Sequence, residues 1–161
     1  TITGNNYGAA LWHRSDACLR IAIWIAFLYC VSVQVVMTFF PTQIAQAFVD
    51  EALVISEVSR ILPIMVSALF IMGPVMMVST YFQAIGEATK AAILGLSKPY
   101  LFGIPLTFLL PLVWGESGIW WAGPLAEILL LSVAIVVLWR TAKRTGLKWG
   151  VFQRTTFELK V

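Results

Sequence analysis

The sequence predicts a polytopic, all-α membrane protein built as a bundle of four transmembrane helices, and three observations support that fold class. Residues Ile61 to Phe82 run for twenty-two positions without a formal charge. About 20 apolar residues are what an α-helix needs to cross a hydrocarbon core of about 30 Å. The composition is 60% hydrophobic and 12% charged, about half the charge of an average soluble domain. Finally, ten of the eleven Lys and Arg residues fall on one side of the predicted spans, as cytoplasmic loops do. Within lipid few architectures satisfy every backbone polar group, and the helix bundle is one of them.

Taken in order, span A runs from about residue 17 to 40, is uncharged after Arg20, and is closed by Pro41. The loop from Pro41 to Glu57 carries Asp50, Glu51 and Glu57 but neither Lys nor Arg. In it Ile44 and Phe48 suggest a short interfacial helix. Span B covers 61–83, followed by the polar link Gly86-Glu87-Ala88-Thr89-Lys90. Span C, 91–114, starts at either Ala91 or Tyr100 and is interrupted by Pro99, Pro105 and Pro111. The short turn at Gly115 makes span D, 119–139, its antiparallel neighbour. A basic tail, 140–161, ends the chain.

The cytoplasmic side collects Arg14, Arg20, Lys90, Lys98 and the tail, and only Arg60 lies opposite. Four spans return the chain to its starting side, so both ends are expected in the cytoplasm of a cell (inner or plasma) membrane. Trp120 and Trp139 are nineteen residues apart, about 28 Å of helix, matching the two aromatic belts of a bilayer. The opening Thr1-Ile2-Thr3-Gly4-Asn5-Asn6 reads as the end of an earlier segment, without a signal peptide. The expectation is therefore a piece of a longer chain.

Several function classes drop out. The charge of +3 lies beside apolar runs rather than on a soluble basic face, so no nucleic-acid partner is expected. One histidine (His13, a loop residue), no metal-spaced cluster and no Gly-rich phosphate cradle leave no catalytic or metal site and no cofactor. Cys18 and Cys30 would be about 18 Å apart on one helix, beyond disulfide reach. Cys30 reads as a small packing residue.

What remains suits transport. Glu127 is the one carboxylate inside a span, where an ionised acid is costly unless paired, hydrated or protonated. It reads either as a proton- or cation-binding group on a substrate path or as a buried structural acid bonded to a neighbouring helix. Cys30, Gln34 and Thr38 share one face of span A, and Gly73, Met76, Thr80 and Gln83 one face of span B. Such stripes mark helix contacts or line a cavity. Met65, Met72, Met76 and Met77 offer a soft apolar surface or fill gaps. Gly73-Pro74, Pro105 and Pro111 are candidate kink or hinge points.

These residues together resemble a family. Asn6-Tyr7-Gly8-Ala9 is similar to the N-Y-G-A segment closing the eighth helix of MATE (multidrug and toxic compound extrusion) transporters. Tyr81-Phe82-Gln83-Ala84-Ile85-Gly86 resembles that family's F-Q-A-x-G end of the tenth helix. Ile104-Pro105-Leu106, Leu110-Pro111, Gly115, Gly118, Trp120, Pro124 and Glu127 resemble its run across the last two helices. The resemblance implies part of the C-terminal lobe of a twelve-helix, two-lobe transporter. It also implies efflux of hydrophobic or cationic compounds in exchange for H⁺ or Na⁺, completed by N-terminal helices not in this chain and surrounded by lipid. Two features depart from the pattern: Lys98 stands where the family usually has Arg, and span B lacks the acid that some branches use as a cation ligand, which leaves either a carboxylate of the N-terminal lobe, as in other branches, or Glu127, the one candidate in this chain. Two alternatives are a lipid-linked sugar flippase, which would need cationic residues facing its cavity, and a four-span scaffold protein.

Overall fold

A computed structural model describes residues 2–152, and within them the regular elements are helices joined by short turns. The fold class follows the apolar pattern closely. A first short helix, α1 (Ile2–Gly8), leads into α2 (Trp12–Phe39), the longest part of span A. Pro41 stops α2, because its ring clashes with the preceding turn, and it then serves as an opening residue of α3 (Pro41–Gln46). The expected interfacial helix is thus present but ends before Phe48, which stands exposed.

Span B is two helices rather than one. α4 (Ala52–Met65) and α5 (Leu69–Ala84) meet at a bend of 49°. The helix begins well before the expected Ile61, and the charges of its first turns are exposed and paired. Arg60 donates to Glu57 at 2.6 Å and lies 3.5 Å from Glu116. The break falls at residues 66–68, between two prolines that each remove a backbone donor: Pro63 toward the carbonyl of Ser59, Pro74 toward that of Phe70. Gly73 and Pro74 themselves remain inside α5.

The third span is continuous from Ala88 to Trp114, which resolves its start on the Ala91 side. It runs as α6 (Ala88–Leu96), a π-helical stretch (Ser97–Gly103) and α7 (Ile104–Trp114). Pro99 and Pro105 supply no N–H, and the wider π winding accommodates their rings, with Ile104 N–H bonding back to the Pro99 carbonyl. After a single turn residue, Gly115, the chain reverses into α8 (Glu116–Thr145). Pro111 lies inside α7, where the helix packs closely on the start of α8. Gly146, in the left-handed conformation, ends α8.

α8 is the central helix, touching α4, α5, α6, the π stretch and α7. Its inward face is mostly small: Gly118, Ala122, Ala126 and Ala134. Small residues let helices approach where no hydrophobic effect drives them together. Gly73 does the same on α5: a Cβ there would sit 2.8 Å from the Ala26 carbonyl oxygen and from Cys30 Sγ of α2. The buried core joins Leu19, Val75, Phe82, Leu94 and Leu130, while Phe108, Leu112 and Val113 point outward, as lipid-facing side chains do.

The two ends of the described chain meet at one end of the bundle. α1 packs on the end of α5 through Gly4 and Ala84, and residues after α8 return to Tyr81 and Arg20. The Glu57–Arg60–Glu116 group marks the opposite end. Two expectations change. Trp120 is half-buried with its indole N–H unpartnered among the described residues, and the outward-facing rings at that end are Trp114 and Trp121. Lys98 is not a loop charge, because it lies within the third span. Arg154 and Lys160 of the basic tail lie outside the described residues.

Candidate functional site

Glu127 is buried on the inner face of α8, with 7% of its side chain exposed. It is not alone. The Lys98 ammonium donates to Glu127 Oε1 across the interface between the π stretch and α8. Lys98 keeps 37% of its side chain exposed, so the pair joins one shielded and one partly open group. The other carboxylate oxygen, Oε2, is buried without a hydrogen-bond partner among the described residues. The Trp120 indole N–H, two turns earlier on α8, is in the same condition. The carboxylate is thus held on one oxygen by Lys98 and leaves the other without a donor among the described residues. The pairing brings Lys98, expected among the cytoplasmic charges, against a helix of the bundle within the third span. The sign of it in the sequence is the apolar run on both sides of Lys98, from Ala91 to Leu96 and again from Tyr100.

Gln34 occupies a different place. From α2 its side-chain amide reaches the α4–α5 break and serves both sides of it. Nε2 donates to the Ser67 carbonyl at 2.8 Å, and Oε1 accepts from Phe70 N–H at 3.0 Å. A broken helix in lipid leaves donors and acceptors that water cannot reach, and one amide satisfies one of each. Cys30, one turn earlier, packs against Gly73, and Thr38, one turn later, lines an open groove of about 280 Å³ with Val31, Phe39 and Phe70. The polar stripe of α2 thus makes helix contacts at Cys30 and Gln34 and borders that groove at Gln34 and Thr38.

Met76, Thr80 and Gln83 share an exposed face of α5, apart from both Gln34 and Glu127. Thr80 bonds back to its own helix, at the Met76 carbonyl, 2.9 Å away. The bundle therefore does not bring the sequence-predicted residues into one site: Glu127 pairs with Lys98, Gln34 bridges the break, and the α5 face opens outward. Of the kink candidates, Pro105 adjoins the π stretch and Pro111 the α7–α8 turn, and the 49° bend lies upstream of Gly73-Pro74.

The MatE family model matches residues 1–109. This chain belongs to the MatE family. A solved MATE multidrug transporter, DinF-BH, superposes on it with a TM-score of 0.79 and 29% identity, over 89% of this chain and 32% of that one. A second solved chain, protein A, matches with the same values. Comparison with curated proteins finds no match. This MatE chain thus spans about a third of the length of the transporter structure it resembles. The family's expected landmarks fall at element ends: Asn6-Tyr7-Gly8-Ala9 closes α1, Gln83 to Gly86 closes α5, and Ile104-Pro105 opens α7. The Lys98–Glu127 pair joins the matched stretch to the helix that follows it.

Proposed function

We propose that this chain forms part of the C-terminal lobe of a two-lobe secondary transporter, lying in the cell membrane with both its ends cytoplasmic. The transporter would export hydrophobic or cationic compounds in exchange for H⁺ or Na⁺. The observation that carries the reading is the Glu127 carboxylate, buried, paired on one oxygen and free on the other. Uptake of a proton or cation at Glu127 would loosen Lys98, whose half-open side chain can turn to water. That exchange would alter the contact between the third and fourth spans. The exposed Met76–Thr80–Gln83 face of α5 is the candidate substrate-lining surface, and the rest of the cavity would come from the other lobe. Mid-span Lys98 is engaged by Glu127, so the described residues offer the flippase alternative no free mid-span cation. Membership in a transporter family speaks against a scaffold.

The test uses the intact transporter reconstituted in vesicles, with efflux of a fluorescent cation followed across pH. Glu127→Gln keeps the shape and removes the charge. The expected result is normal expression with reduced efflux or a displaced pH dependence. Normal transport by Glu127→Gln at every pH, together with failure of Glu127→Ala to fold, would make Glu127 a structural group and overturn the proposal.

A further inference from the structure

Beyond Thr145 the chain does not trail away. Gly146 turns it, Lys148 and Phe152 pair as an isolated antiparallel bridge, and Val151 is buried with its carbonyl accepting the Tyr81 hydroxyl at 3.2 Å. The Arg20 guanidinium lies 5.6 Å from the centre of the Phe152 ring. Gly150 is pressed against the Leu138 carbonyl and Ala142 N–H, where a side chain would not fit. This contact fixes the height of the hook: it folds back along α8 to the level of residues 138–142, where the apolar part of the helix ends. Trp149, next to Gly150, is therefore held at the level of Trp139. Both rings are exposed, and Trp149 takes a positive φ of 58°, unusual for a large side chain.

Four cations lie in the same stretch of chain as the two rings. The Lys143 ammonium sits 3.7 Å above the Trp139 ring, and Arg140, Arg144 and Lys148 are exposed along residues 140–148, none of them forming an ion pair among the described residues. We infer that the 147–152 hook is an interfacial anchor that binds anionic phospholipid headgroups, Trp149 and Trp139 seating in the headgroup layer while Lys143, Arg144 and Lys148 contact phosphates. Aromatic rings at that depth mark the membrane interface, and each cation near an anionic surface strengthens binding severalfold. The role is independent of the proposed transport cycle.

The experiment places the intact protein in nanodiscs and reads quenching of Trp149 as the difference between the parent and Trp149→Phe. The quenchers are brominated phosphatidylglycerol and brominated phosphatidylcholine at equal mole fraction. The anionic lipid is expected to quench at the lower mole fraction, with its preference falling about fivefold in Lys148→Gln and again in Arg144→Gln. Tyr81→Phe, which only frees the hook, should lessen quenching by both lipids. Equal quenching by the two lipids, or a preference unmoved by both charge variants, overturns the inference. A Trp149 shielded from both lipids also overturns it, because the hook would then face protein.

Discussion

Removing the two partners of the Lys98–Glu127 pair should have unequal consequences. Lys98→Met leaves a carboxylate only 7% exposed with no cation beside it. Stranding a buried charge in this way costs about 3–5 kcal/mol. Glu127→Gln leaves an ammonium that is already 37% exposed on a long flexible stem. That stem can carry the charge to water, so the cost is about 1.5–3 kcal/mol for the lost charged hydrogen bond. The two variants should therefore differ by roughly 2 kcal/mol, a factor of about 30 in the unfolding equilibrium. The double variant should be more stable than Lys98→Met alone, because the charge left unpaired has gone, and Lys98→Arg should be close to the parent. The assay is denaturant titration of the purified intact protein in detergent, followed by tryptophan emission. Equal losses for the two single variants, or a double variant equal to their sum, would refute the pairing as the reason Glu127 is tolerated inside the bundle.

Other outcomes follow from the same geometry. Gln34→Leu strands the Ser67 carbonyl and the Phe70 N–H, at about 1–3 kcal/mol for each group, and should make backbone exchange at residues 66–70 faster by hydrogen–deuterium mass spectrometry. Gly73→Ala must displace the Ala26 carbonyl and should cost about 1–3 kcal/mol. Gly123→Ala, which meets nothing within 4 Å, should be neutral or stabilising by up to about 1 kcal/mol in the same titration. Single cysteines at Asp50 and Thr89 should label from opposite faces of the membrane, and labelling of both from one face would break the span order.

The apolar runs made the helices legible because lipid leaves the backbone little choice, and Pro41 and Gly115 marked real boundaries. The continuation of α4 back to Ala52 was hidden because Glu57 and Arg60 read as loop charges, whereas both are about half exposed at the end of the bundle, where a helix can carry them. Glu127 could be singled out from the sequence as a buried acid, but its partner could not. Lys98 stands ahead of a proline, which reads as a helix boundary, whereas the π winding carries the helix through Pro99 and leaves the lysine facing α8. The α2 stripe was visible as a stripe. That Gln34 serves a break in another helix depends on tertiary register, which local spacing does not encode.

That register bears on how the broken span could change shape. The end of α4 presents carbonyls and the start of α5 presents N–H groups, so two opposed partial charges meet at residues 66–68 in a region of low dielectric. Gln34 answers them with one donor and one acceptor and no net charge. A lysine or a glutamate at that position would match one side and carry a full charge into lipid. A neutral amide can let go of one end and regain it without moving charge across the membrane field. Bending at this joint would therefore be indifferent to membrane potential, whereas any displacement of Lys98 or Glu127, the charged pair within the spans, would not be.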